Sequence, residues 1–78
     1  MDSSSRTAQL PKPYLQLSVT VTVIKPYLQL SVTVTDKNRH ESTRDAALWQ
    51  SMAEVFALTS NFIWADSLYY KAGQIPWN

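Results

Sequence analysis

The sequence contains no cysteine, one glycine (Gly73), one histidine (His40) and a formal charge of only +1 in 78 residues. Each scarcity removes a class of explanation. Without cysteine there is no disulfide to staple a small fold and no sign of an oxidising compartment, so a cytoplasmic location is the expectation. One glycine excludes a phosphate-cradling loop and a nucleophile elbow, both of which need several. One histidine with no clustered carboxylates argues against a metal centre, and no cofactor is expected. No apolar run approaches the ~20 residues of a membrane-spanning helix. The polar stretch from Met1 to Gln9 has no apolar core of the kind that signal peptides carry. The near-neutral charge excludes a strongly electrostatic polyanion binder. A chain of this length forms one domain with a thin stability margin. With disulfide and metal set aside, the remaining staple is a partner chain.

What is present is a repeat. Residues 12–22 read Lys-Pro-Tyr-Leu-Gln-Leu-Ser-Val-Thr-Val-Thr, and residues 25–35 repeat those eleven letters without a change. Divergent repeats keep a pattern rather than every letter, so the copy reflects a recent or an engineered tandem duplication. Each copy alternates. Leu15, Leu17, Val19, Val21 and Val23 oppose Gln16, Ser18, Thr20 and Thr22. In the second copy Leu28, Leu30, Val32 and Val34 oppose Gln29, Ser31, Thr33 and Thr35. Period two with β-branched residues is the pattern of a half-buried strand. The offset of 13 is odd, so one straight strand would expose half of its apolar set. The chain must therefore turn near Val23-Ile24-Lys25-Pro26. A tight hairpin there sets Leu17 opposite Val32, Val19 opposite Leu30 and Val21 opposite Leu28, apolar against apolar. Ile-Lys is a poor tight turn, and a wider loop, or exchange of one strand between chains, would relieve it. The second copy, joined closely to the helical region, is expected to hold the core place, with the first copy pairing with it as a hairpin partner or pairing with another chain.

Residues 1–11 read as a flexible arm and residues 12–78 as a single domain, with the duplicated strands at 12–35 and a helical region at 43–72. Between Thr43 and Ala72 there is neither Gly nor Pro. Ser42 or Thr43 is the expected N-cap, Ser42 with Asp45 forming a weak capping box. Gly73 stands where a C′ residue belongs, Lys71 complements the dipole, and Pro76 forbids continuation. Leu48, Met52, Val55 and Phe56 form one apolar stripe; Phe62, Ile63, Ala65, Leu68, Tyr69 and Ala72 form another. Thr59-Ser60-Asn61 is the weak place, where one long helix bends or two helices, 43–58 and 61–72, meet. The region carries few charges, and a helix apolar nearly all round is buried on more than one side. A homo-oligomer is the consequence, with Trp49, Phe56, Trp64, Tyr69 and Tyr70 as its expected interface.

No arrangement of residues points to catalysis. Ser42, His40 and Asp36 can be assembled into a triad on paper, but a polar loop with a helix cap explains them better, and the expectation is a protein that is not an enzyme. No small-molecule substrate and no membrane partner is inferred. The polar strand face is the stronger candidate. Gln16, Ser18, Thr20, Thr22, Gln29, Ser31, Thr33 and Thr35 on a ribbon have the donors and acceptors to bond base edges in a major groove. Lys12, Lys25, Lys37 and Arg39 lie at the strand ends, where phosphates would run.

Leu17-Ser18-Val19-Thr20-Val21-Thr22 followed by helices resembles the strand of ribbon-helix-helix DNA-binding proteins. Leu58-Thr59-Ser60-Asn61-Phe62-Ile63 through Leu68 resembles the start of that family's second helix, and the likeness spans roughly residues 28–73. It implies strands from two chains pairing into one antiparallel ribbon whose outward side chains read DNA. The fold expected is α+β: a two-stranded antiparallel β-ribbon from the repeat, packed on one long or two shorter helices, and oligomeric. The function expected is a non-enzymatic binding module with DNA as the partner class. The alternative is a structural or interaction protein carrying a duplicated strand, with no nucleic-acid role.

Overall fold

A computed structural model describes residues 3–25, 29–37 and 45–75. The chain is α+β: strands β1 (Ser3–Gln9), β2 (Ser18–Ile24) and β3 (Gln29–Thr35), then helices α1 (Ala46–Leu58) and α2 (Phe62–Gly73). The strands form one antiparallel sheet in the order β1-β2-β3. The expected ribbon is therefore a three-stranded sheet. The third strand comes from the segment read as a loose arm, whose Ser3–Gln9 pairs along the whole of β2.

Both copies of the repeat supply strands, and the strands are neighbours, but their roles are the reverse of the expectation. The first copy supplies the central strand, with Val19 and Val21 wholly buried. The second copy supplies an edge, where Val34 is buried and Leu30 and Val32 only half so. The register also differs from the tight hairpin. Val19 faces Val34, Val21 faces Val32 and Val23 faces Leu30, so the connection spans 25–28. The slip from the expected pairing is even, so apolar still meets apolar and the faces are preserved. The wider connection removes the need for a tight turn at Ile24-Lys25.

The same Gln-Leu pair ends up in different structures in the two copies. In the second copy Gln29 and Leu30 belong to β3, because Ile24 and Val23 extend β2 opposite them. In the first copy the equivalent Gln16 and Leu17 precede β2, in a path closed by Tyr14 N–H to Pro11 O (2.7 Å) and Leu17 N–H to Tyr14 O (2.9 Å). Continuing the two ladders would set Gln16 against Pro11, which has no N–H to give, and against the turn residue Lys37. β2 starts at Ser18 because the Leu17 N–H is already given to Tyr14 O in the turn that precedes it.

Asp45, not Ser42 or Thr43, caps α1: one carboxylate oxygen accepts from Ala47 N–H at 2.9 Å and Leu48 N–H at 3.4 Å. Ser42 and Thr43 lie outside the described residues. A cap of this kind contributes about 1 kcal/mol. α1 ends where the sequence is weakest. Ser60 N–H donates to Ala57 O (3.0 Å) and Asn61 N–H to Phe56 O (2.8 Å), the pair of bonds that defines a Schellman ending. The Thr59 hydroxyl adds a bond to Phe56 O at 3.0 Å. Ser60 takes the left-handed position (φ 65°) that glycine usually fills. Ser60→Gly is therefore expected to raise stability by about 1 kcal/mol, read as a higher urea midpoint; an unchanged or lower midpoint would show that the Ser60 side chain compensates for its backbone. Gly73 does not act as a left-handed terminator. It lies inside α2 with no positive φ, and Gln74 is the C-cap.

The two helices fold back on each other against the valine face of the sheet. Leu48, Trp49, Met52, Ala53 and Phe56 from α1 and Trp64, Ala65, Leu68 and Ala72 from α2 meet Val19, Val21, Val34 and Leu10 in one core. Phe56 and Trp64 pack edge to face, ring centres 5.4 Å apart and planes at 85°. Among the described residues no polar or charged side chain is buried and no buried side-chain N or O lacks a partner.

Candidate binding surfaces

The register sorts the sheet into two faces. Toward the helices point Val19, Val21 and Val23 with their partners Val34, Val32 and Leu30; on β1 the same rows hold Ala8, Arg6 and Ser4. Away from the helices the rows read Gln9-Ser18-Thr35, Thr7-Thr20-Thr33 and Ser5-Thr22-Ser31, with Ile24 and Gln29 at one end. Strand spacing of about 4.8 Å and a two-residue repeat of about 6.7 Å make this a regular lattice of hydroxyls and amides. The Thr7 and Thr20 hydroxyls share a hydrogen bond at 3.0 Å, and Ser18 Oγ donates to the Thr35 backbone carbonyl at 3.4 Å.

Seven of the eight polar residues singled out in the sequence, Ser18, Thr20, Thr22, Gln29, Ser31, Thr33 and Thr35, thus share one face. Gln16 does not, because it lies in the turn before β2. β1 adds Ser5, Thr7 and Gln9, which sequence reasoning missed. The signal was present as alternation of polar with mixed residues, but a strand without an apolar face reads as coil. None of the described strands carries a carboxylate on this face. Lys12 and Lys37 flank the sheet at the end where β2 begins and β3 finishes, and Lys25 flanks the other end. Arg39 and His40 lie outside the described residues.

The lysine-flanked end carries an open concavity of about 590 Å³ between Lys12 and Asp36, floored by Tyr14, Leu15 and Leu17. Beside it the Tyr14 hydroxyl donates to Asp45 Oδ2 at 2.9 Å, tying the β1–β2 connection to the cap of α1. Desolvation, then the hydrogen bond and the negative charge of Asp45, push the Tyr14 phenol above its usual 10.0. This pair ties elements together. Among the described residues no group of three His, Cys, Asp or Glu side chains is placed to hold a metal ion. Among them, too, no helix is long and apolar enough to cross a membrane.

The aromatic residues expected at an interface divide into two sets. Trp49, Phe56 and Trp64 are buried within the chain itself and serve its own core. A small cavity of about 70 Å³ separates Trp49 and Trp64 from Leu30 and Val32 at the β3 edge, and Lys71 Nζ stands 5.9 Å from the Trp49 ring centre. Tyr69 and Tyr70 are exposed, and with them Leu58, Phe62 and Ile63. The sequence could not separate the two sets because the helical region is apolar around most of its circumference.

Compared with protein-family models, curated proteins and solved structures, the chain shows no match to any of them.

Proposed function

We propose that the protein is a non-enzymatic, self-associating binding module that contacts DNA through the outward face of its sheet. The observation that carries this reading is the three-row lattice of Ser, Thr and Gln side chains, free of carboxylates and flanked by lysines at both ends. Hydroxyls and amides both donate and accept, which is what base edges in a major groove require. The lysines supply phosphate contacts on either side, and strands are an established element for groove entry. The order β3-α1-α2, with β3 paired antiparallel to a strand from the same repeat, also agrees with the ribbon-helix-helix resemblance. In that comparison the first copy supplies within one chain the partner strand that a second chain would otherwise provide.

The test is a fluorescence-anisotropy titration of labelled duplex DNA at low salt, repeated as salt rises. Binding should weaken with salt on a shallow slope, because the three lysines that flank the sheet, Lys12, Lys25 and Lys37, neutralise only a few phosphates. Ser31→Ala with Thr33→Ala should then cost about 1–3 kcal/mol for each base contact removed and leave folding intact, since both side chains face solvent. Absence of binding at low salt would remove the nucleic-acid reading and leave a structural or interaction protein.

A further inference from the structure

Among the described residues, the outer side of α2 carries four of the six exposed large hydrophobic side chains, Phe62, Ile63, Tyr69 and Tyr70. Trp64, Ala65, Leu68 and Ala72 take the inner side. On the outer side Phe62, Asp66, Tyr69 and Gly73 succeed one another at steps of four, three and four, a single stripe along the helix. Ile63 and Tyr70 flank it. Phe62 is 62% exposed, Ile63 79%, Tyr69 42% and Tyr70 69%, and Leu58 at the helix junction is 85% exposed. Together they leave on the order of 700 Å² of largely apolar surface, close to the ~800 Å² that each partner buries in a standard interface.

Gly73 shows which partner fits. It is the only glycine of the chain. Its backbone is not left-handed, and a Cβ built there meets nothing within 4 Å. Neither conformation nor internal packing requires glycine at this helical position, and glycine weakens a helix. What it does provide is bare backbone, open to solvent, at one end of the outer stripe, with Phe62 at the other end.

We infer that a second copy of this chain docks here, α2 antiparallel to α2 about a two-fold axis, each Phe62 ring laid over the bare backbone at the partner copy's Gly73. The same alignment sets each Asp66 carboxylate beside the Tyr69 phenol of the other copy, an acceptor against a donor, twice. The stripe is thus complementary to itself when reversed, which is the requirement for an isologous dimer. The missing Cβ leaves room for the partner copy's Phe62 ring at each end of the contact, either side of the two-fold axis near Ser67 and Leu68. This places the self-association of the proposed reading, on which it rests, on a stated surface, opposite in kind to the polar sheet face and separate from it.

The experiment is sedimentation equilibrium of the full chain, of Gly73→Gln and of Ile63→Glu, from micromolar to millimolar concentration, each with a thermal melt in the dilute, monomeric range. The parent chain should dimerise. Both variants should weaken the dimer at least tenfold without lowering the dilute melting midpoint, because Gly73 has open space and Ile63 faces solvent. A monomeric parent chain would overturn both this inference and the self-associating part of the proposed function. A parent dimer with both variants equally dimeric would overturn this surface alone. A lower dilute midpoint for either variant would show that the residue serves the monomer's fold, and would also overturn the assignment.

Discussion

Deleting residues 12–24 is expected to abolish cooperative folding. Because the copies are identical, the product has the same sequence as a deletion of 23–35, so one strand segment is left for two places. If it takes the edge, the sheet loses its centre: the buried Val19 and Val21 go, and β1 has no partner. If it takes the centre, β3 is gone, and with it Leu30, Val32 and the buried Val34. Each fully buried side chain contributes about 1.5–3 kcal/mol. Two or three of them, with a whole ladder of main-chain bonds, amount to on the order of 5 kcal/mol or more, against a total stability of about 5–15 kcal/mol for a small domain. A two-stranded ribbon is also marginal as a platform for helices. Circular dichroism of the shortened chain should show no sigmoidal melt. A cooperative transition within a few degrees of the parent would mean that one copy is dispensable, which is what the repeat by itself suggests.

Phe56→Ala should cost about 3–5 kcal/mol, the range for emptying a large aromatic site in a closed core. Phe56 is almost wholly buried, belongs to the one core shared by both helices and the sheet, and packs edge to face on Trp64 of α2. Its carbonyl also accepts the Asn61 and Thr59 bonds that end α1, so strain at this site is transmitted to the helix junction. With a urea dependence of about 1 kcal/mol per molar for so small a chain, the midpoint should fall by several molar, or the variant should be unfolded from the start. The control is Phe62→Ala, at an exposed ring of the next helix, which should stay within about 0.5 kcal/mol of the parent in the monomer. A small effect at Phe56 would place the core elsewhere.

The two faces of β2 and β3 were legible in the sequence, because alternation fixes them and an even slip of register leaves them unchanged. The helix break at Thr59-Ser60-Asn61 was legible for a related reason: three poor helix formers cluster there, and the Schellman bonds use their backbones. β1 was not. Ser-Ser-Ser-Arg-Thr-Ala-Gln has almost nothing to bury, and its place is fixed by main-chain hydrogen bonds to β2, which leave no compositional trace. Nor could the letters say which copy is central. That depends on Val23-Ile24 extending one strand and on the turn begun at Pro11 cutting it short at the other end, features of the flanks and not of the repeat. Of the candidate surfaces, the polar face was readable from Ser18 to Thr35. The helical aromatics were not separable into core and surface, because a stripe that runs nearly round a helix has no preferred side. Trp49, Phe56 and Trp64 turned inward while Tyr69 and Tyr70 stayed outside, a division set by where the sheet lies.

In the proposed function the molecule has two working faces: a polar sheet face kept open, and a helical face that a second copy would close. Amide chemical shifts tracked through a dilution series test this most directly. The prediction is concentration-dependent shifts grouped at Leu58, Phe62, Ile63, Asp66, Tyr69, Tyr70 and Gly73, with Ser18–Thr22 and Ser31–Thr35 unchanged. Shifts along β3 instead would mean that chains join through the sheet edge, and a spectrum independent of concentration would mean that the helical face stays open; either result contradicts a dimer built on α2.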